Sequence, residues 1–311
     1  MTKTPRKKRD INGILLLDKP AGYTSNQALQ AVKHLLQARK AGHTGSLDPL
    51  ATGLLPLCFG EATKVSQFLL DADKRYWVAI RLGQTTSTYD AEGEVLVTRP
   101  VDLTRPAIAA ALRRFQGEIQ QLPPMYSAIK QAGQPLYKLA RAGIEVARTP
   151  RRVSIHALNL VHWQDDRLEL EVACSKGTYI RSLAHDLGEI LGCGGHVTAL
   201  RRLATGGFSV EQAITLEALQ NLPDDGRLAR LLPLDQALTH LPAVDLSLNA
   251  AFYLCQGQVV TAPHGVSAGL VRLYEAGGRF LGLGEVQLDG RVAPKRLLRP
   301  PEQADITPEI G

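Results

Sequence analysis

A chain of 311 residues, 44% of them hydrophobic, holds enough apolar material to bury a core in each of roughly two domains. Lys and Arg number 36 against 30 Asp and Glu, a formal charge of +6, and the excess is concentrated: residues 1–10 carry +4 and residues 121–152 carry +5. Charges more than about 10 Å apart are screened from one another, so two basic segments on a near-neutral body point to contact with a polyanion such as nucleic acid. Cys58, Cys174, Cys193 and Cys255 form no CxxC pair, which argues against a disulfide framework or a zinc site and for a reducing compartment. Cys193 with His196 in CGGH lacks a second ligand pair and reads as structural, so no metal is expected. The basic start followed by INGILLL imitates a secretion signal, but Asn12, Gly13, Asp18 and Lys19 interrupt it, and no stretch nears the roughly 20 apolar residues of a membrane span. A cytosolic protein without a membrane partner is expected.

Residues 1–10 read as a disordered basic arm, and ILLLDKP as a short buried strand ended by the turn PAGY. Thr24 or Ser25 caps the next helix, whose face of Leu29, Val32, Leu35 and Leu36 extends to about Arg39. Residues 40–60, broken by Gly42, Gly45, Pro49, Gly53, Pro56 and Gly60, read as a glycine-rich loop. Alternating apolar residues from Tyr76 to Leu82 predict a half-buried strand, and EGEVLVT predicts a second. Thr104, Pro106, the stripe Ile108, Ala111, Leu112 and Phe115, and Gly117 predict a capped helix and its stop.

Residues 121–152 carry Pro123, Pro124, Gly133, Pro135 and Gly143 among their basic residues and read as an extended, mobile insertion. VSIHALNLVHW and RLELEVAC predict a hairpin about Gln164, Asp165 and Asp166, and Ile180, Leu183, Ala184, Leu187, Ile190 and Leu191 an amphipathic helix closed by Gly192. From Gly207 to about Leu248 short helices and loops are expected. Beyond a boundary near residue 248, VRLYEA, GRFLGLGEVQL and GRVAPKRLL are short strands between glycine turns, as in a small β-barrel or sandwich. The class is α+β with a β appendage.

GVSAG at 265–269 matches a nucleophile-elbow pattern but leads into strand-like VRLY rather than a helix, and no phosphate loop, dinucleotide fingerprint or deaminase zinc motif is present. Nucleotide hydrolysis, hydride transfer and deamination therefore lack sequence support. Two segments stand out. GHTGSLDPLATG, residues 42–53, places one carboxylate, Asp48, among hydroxyls in a glycine-hinged loop, where Pro49 biases it away from helical geometry. CSKGTYIRSLAHDLG, residues 174–188, sets Tyr179 and Arg181 in the first turn after a strand-to-helix junction, where side chains can point into a cleft. By residue type alone, Asp48 is equally a turn former, Arg181 a solvated helix residue and Tyr179 a packing aromatic.

DKPAGYTS, GHTGSLDPLATG, GEATK, RYWVAIRLGQTTSTYDAEGEV, PPMYSAIKQAGQPLYKLARAG and SKGTYIRSLAHDLG, in this order, closely resemble the bacterial tRNA pseudouridine-55 synthases, the TruB family. The resemblance runs from about residue 11 to 210 and continues more weakly to the C-terminus. It implies a pseudouridine-synthase domain over 11–248, with a central mixed or antiparallel sheet flanked by helices, and a PUA-like barrel over 249–311. It implies isomerisation of a tRNA T-loop uridine without cofactor, opened by Asp48 either attacking C1′ or removing a 2′ proton, with Arg181 orienting the carboxylate and keeping it charged.

In the same family pattern Tyr76 stacks on the target base and it or a neighbour removes the C5 proton. Tyr179 holds the nucleotide, Leu200 walls the uracil site, and Lys19 and Pro20 brace the catalytic loop. Lys64 lies near the cleft. His43 enters the T loop where the uridine is turned out. The basic insertion, including Lys130 and Arg141, grips RNA, and Arg279, Arg291, Lys295, Arg296 and Arg299 belong to a module reaching toward the acceptor stem. The implied partner is tRNA, through its T stem-loop, elbow and acceptor stem, bound by a monomer with no obligate protein partner. Two alternatives remain at this stage. One is an RNA-binding folding chaperone whose catalysis is incidental. The other is a guide-RNA-dependent relative, against which the tRNA-gripping insertion argues.

Overall fold

In the computed structural model, which describes residues 8–299 apart from 128, 132 and 264, the apolar run at the start becomes the buried strand Gly13–Lys19. Its side chains alternate between two cores. Leu15 and Leu17 join a large cluster beneath the helices Ser25–Leu35, Arg105–Arg113 and Ile180–Ile190, whereas Ile14 and Leu16 face a smaller cluster with Leu54, Phe208 and Leu238. A strand covered on both faces needs no polar positions, which is why the sequence reads as a continuous apolar run. The hairpin strand Arg167–Cys174 shows the opposite pattern: Leu168, Leu170, Val172 and Cys174 point inward and alternate with more exposed residues.

Ten strands form the catalytic sheet. Along its main path lie Ile214–Thr215, Gly13–Lys19, Thr52–Phe59, Gly195–Thr205, Lys74–Leu82, Arg167–Cys174, Arg151–Gln164 and Gly117–Gln121. Ala41–His43 and Phe208–Ser209 pair at the sides. The sheet is mixed, as expected: Gly13–Lys19 with Ile214–Thr215, and Thr52–Phe59 with Gly195–Thr205, run parallel, and the other pairs antiparallel. Thr24 caps the first helix in a reciprocal box with Gln27, and Thr104 caps the helix that starts with Pro106 in its first turn.

Four expectations change. Arg9 and Asp10, assigned to a disordered arm, are held: Arg9 N–H donates to Gln37 O at 2.8 Å and its guanidinium pairs with Asp224 at 2.6 Å, while Asp10 pairs with Arg39. Residues 1–7 lie outside the described residues. The glycine-rich loop of 40–60 shrinks to 44–51, because Ala41–His43 and Thr52–Phe59 are strands. The insertion is not extended throughout: it contains the hairpin of Lys130–Gln131 with Gln134–Pro135 and the helix Leu136–Arg141, anchored by buried Leu136. The expected boundary near 248 falls too late, since Ala243–Leu246 already pairs with Gly269–Glu275 in the C-terminal sheet.

That sheet has five strands, ordered Ala243–Leu246, Gly269–Glu275, Phe280–Val286, Arg291–Leu297 and Val260–Thr261, and curls into a half-barrel against the helix Leu248–Cys255. Leu283 reaches into the second catalytic-domain cluster and joins the two modules. Cys193 and His196 face the carbonyl oxygens of Gly194 and Gln84. Among the described residues no helix is long and apolar enough to cross a membrane.

Gly53 pairs with Arg202 where Thr52–Phe59 and Gly195–Thr205 run parallel. Its φ is 97°, and a Cβ would stand 2.3 Å from Arg202 O and 2.8 Å from Arg202 N. Gly53→Ala is expected to destabilise by about 2–5 kcal/mol, from the left-handed backbone plus the forced displacement of a neighbouring strand. The midpoint of urea unfolding checks this, and an unchanged midpoint would contradict the close approach.

Candidate active site

The 44–51 loop carries Asp48, and its backbone is tied from several sides. Ser25 Oγ accepts from Leu47 N–H at 2.7 Å and donates to Leu47 O at 3.1 Å. Gly22 N–H donates to Pro49 O at 2.8 Å. Lys19, fully buried at the end of its strand, donates from Nζ to the carbonyl oxygens of Pro20, Tyr23 and Pro49. Burial pushes the Lys19 ammonium down to about 8, with Asp48 and Glu92 pulling it back up. On the far side Arg202 donates from Nε to Leu54 O at 2.7 Å and from Nη2 to Gly45 O at 3.3 Å.

Arg181 sits in the first turn of the Ile180–Ile190 helix. Gln121 secures that end, accepting from Tyr179 N–H at 2.7 Å and donating to Tyr179 O at 3.0 Å. The guanidinium, with its side chain 6% exposed, grips Asp48 through Nε to Oδ2 at 2.9 Å and Nη2 to Oδ1 at 3.1 Å. Its remaining donors reach Tyr126 O at 2.7 Å, Thr88 O at 3.2 Å and the Asp90 carboxylate at 3.4 Å. Every edge of the fork is occupied, so the planar group has one orientation.

Asp48 opens into a cavity of about 750 Å³. Its side chain is 39% exposed into that space, yet the surrounding walls replace most of the bulk water. This burial pushes its carboxyl above the ordinary aspartate value, Arg181 pulls it down, Asp90 pushes it up and Lys19 pulls it down. Tyr76, Leu200, Tyr179 and His43 line the same cavity. Burial raises the phenols of Tyr76 and Tyr179, so both keep their protons at neutral pH. Burial, together with Arg202, lowers the His43 imidazole, which is therefore neutral, and its buried Nδ1 has no hydrogen-bond partner among the described residues.

The sequence profile of the TruB family pseudouridylate synthase N-terminal domain matches residues 33–180, that of the tRNA pseudouridylate synthase B C-terminal domain matches 181–239, and that of the pseudouridine synthase II TruB C-terminal region matches 242–298. The tRNA pseudouridine synthase B of Stutzerimonas stutzeri strain A1501 is 56% identical over 303 residues, 96% of this chain and 99% of the relative. That of Pseudomonas aeruginosa strain UCBPP-PA14 is 55% identical over 303 residues, 96% of this chain and all of the relative. The chain belongs to the TruB family. Among solved structures, a Cbf5–Nop10–Gar1 complex superposes over 93% of this chain and 85% of its own at TM-score 0.73 and 27% identity. An archaeal box H/ACA sRNP Nop10–Cbf5 complex does so over 96% and 89% at TM-score 0.71 and 25% identity.

In this TruB chain the structure brings Asp48, Arg181, Tyr76, Tyr179, Leu200, His43 and Arg141 to one cavity. Lys19 and Pro20 stand behind its loop, Lys19 as the brace and Pro20 through its carbonyl oxygen. Two expected residues are elsewhere. Lys64 pairs with Glu61 at 2.6 Å and donates to Leu297 O at 2.9 Å, which places it at the seam with the C-terminal sheet. Lys130 is exposed on the insertion hairpin, away from the cavity. The residue reading passed over Asp90, buried against Arg181, and Arg202, buried beside Tyr76. Asp90 lies inside the quoted TTSTYDAEGEV segment, so its signal was present. Arg202, second of two adjacent arginines, has nothing local to distinguish it from its more exposed neighbour.

The Asp48 carboxyl is expected to titrate above 3.8, the ordinary value, and Arg181→Met should move it further upward by removing the downward pull. Carboxyl carbon shifts followed against pH, with Asp48→Asn spectra subtracted, measure both. A midpoint at or below 3.8 in the unaltered protein would contradict the enclosure described.

Proposed function

We propose that this chain isomerises uridine to pseudouridine in tRNA, at the T-loop uridine numbered 55, and that Asp48 opens the reaction. The observation that carries the proposal is the two-pronged Arg181 grip on a carboxylate at the wall of a cavity roomy enough for a nucleoside. In the reaction the N1–C1′ bond breaks, the uracil turns, C1′ joins C5, the C5 proton leaves and N1, freed from the sugar, takes up a proton. Reactant and product are isomers, so no oxidant, triphosphate or cofactor enters the balance. Attack on C1′ and removal of the 2′ proton both begin from an ionised carboxylate, the form that Arg181 favours. The cavity falls within the roughly 300–1,000 Å³ of small-molecule sites, and Tyr76 and Leu200 supply the apolar walls that retain a detached uracil.

Turning a uridine out of a folded loop costs a few kcal/mol and leaves a gap to fill. His43, neutral and lining the cavity, has the flat face and lack of charge that suit it for that gap. RNA binding is assigned chiefly to the insertion, where Lys130, Lys138 and Arg141 are exposed while Arg148 donates to Pro123 O at 3.0 Å. Contact of the C-terminal module with the acceptor stem has less support than the sequence promised. Arg279, Arg291 and Lys295 pair with Glu275, Asp289 and Glu285, and Arg296 donates to Lys64 O. The proposed unit is a monomer acting alone. Identity of 56% to a tRNA pseudouridine synthase B, against 25% to an archaeal box H/ACA sRNP Nop10–Cbf5 complex, favours this over a guide-dependent role.

Asp48→Asn is expected to abolish pseudouridine formation on a T-stem-loop transcript, read by mass spectrometry after carbodiimide labelling, while tRNA binding persists. Normal modification by this variant would remove Asp48 from the chemistry. Replacing Lys130, Lys138 and Arg141 with Gln should weaken tRNA binding and flatten its logarithmic salt dependence by about 2. An unchanged slope would remove those residues from the RNA interface.

A further inference from the structure

Tyr89 has a φ of 63°, left-handed backbone that a bulky residue adopts only when its surroundings hold it there. A ring stack and backbone hydrogen bonds hold it. Its ring stacks on His185 with centroids 4.0 Å apart and planes 10° from parallel. Its N–H donates to Thr86 O, its carbonyl accepts from Val197 N–H at 3.0 Å, and Ala91 N–H donates back to Val197 O at 2.9 Å. The 88–91 turn is thereby fixed on one side to the central strand Gly195–Thr205 and on the other, through the stack, to the Ile180–Ile190 helix.

Arg181 belongs to that helix. It is four residues before His185, one turn along the same helix face. The residues flanking Tyr89 are the acceptors on its far edge: Thr88 O at 3.2 Å and the Asp90 carboxylate at 3.4 Å from Nη1. The His185 Nδ1 is buried without a hydrogen-bond partner among the described residues, so the ring's packing against Tyr89, not a polar contact at that nitrogen, sets its attitude.

We propose that the Tyr89–His185 stack is a positioning element that sets the spacing between the 88–90 turn and the Arg181 helix and so aims the guanidinium at Asp48. Neither ring is a catalytic residue. The stack holds Thr88 and Asp90 against Nη1, which leaves the Nε and Nη2 edge pointing at the carboxylate. Without it, the 88–90 turn loses its tie to the Ile180–Ile190 helix, the acceptors withdraw, and Arg181 gains rotamers that no longer meet both Asp48 oxygens. A misplacement of about 1 Å in such a pair costs up to about a hundredfold in rate. The inference rests on the pseudouridine-forming reading.

Tyr89→Gly tests it, because glycine adopts this backbone without strain and the substitution removes the ring. The variant should melt no lower than the unaltered chain and bind a tRNA transcript equally well. Its single-turnover pseudouridine rate should fall about ten- to a hundredfold, and the Arg181 Nε–H resonance, protected from solvent by Asp48, should broaden. Tyr89→Phe and His185→Phe, which keep two stacked rings, should restore both rate and resonance. An unaltered rate and resonance in Tyr89→Gly overturns the proposal, as does Tyr89→Phe failing to restore them. If the unaltered chain makes no pseudouridine, the functional reading fails instead, and the Arg181 resonance alone decides the positioning role.

Discussion

A carboxylate facing a walled cavity and a guanidinium almost wholly out of water are each unfavourable alone, and the catalytic domain is organised around keeping them together. Desolvation raises the Asp48 carboxyl while Arg181 lowers it, so the geometry between them governs how much of the ionised form exists. That geometry depends on elements far apart in the chain. The 44–51 loop is held by Ser25, Lys19 and Arg202, and the Arg181 fork by Thr88, Asp90 and Tyr126. Loss of one partner leaves a buried charge uncompensated, which is costlier than the pair is favourable.

Much of this was legible from residues. Thr24, Thr104 and the stripes behind them announced two helices, and the period-2 pattern of RLELEVAC announced a strand, because each is a local signal of one face buried. Asp48 and Arg181 were legible only through long motifs, since an Asp before Pro in a glycine loop and an Arg on a helix are both ordinary. Thr52–Phe59 escaped because Gly53 and Pro56 mimic loop residues. The glycine is there for its left-handed φ and for the backbone pressed against it, a tertiary requirement invisible in one dimension.

Gly195–Thr205 was harder still. Bulges between Val197 and Ala199 and between Arg202 and Ala204 break the alternation, and the adjacent arginines look like surface. One of them, Arg202, is buried, braces the Asp48 loop and lies beside Tyr76. The C-terminal cations show how pairing changes a surface. Counted in sequence they make a basic surface, but paired with Glu275, Asp289 and Glu285 they leave that surface closer to neutral. Charge placement, unlike charge count, needs coordinates.

The strand order has an outcome in time as well as in space. Thr52–Phe59 and Lys74–Leu82 are near neighbours in sequence, yet Gly195–Thr205 lies between them in the sheet. During synthesis the first two emerge with their adjoining edges bare and must wait for more than a hundred further residues before the gap closes. Open edges of that kind invite pairing with other chains, and long-range closure is slow. The nascent chain thus passes through a vulnerable interval, and it ends only when the segment bearing Arg202 leaves the ribosome and seals the sheet and its catalytic loop in one step.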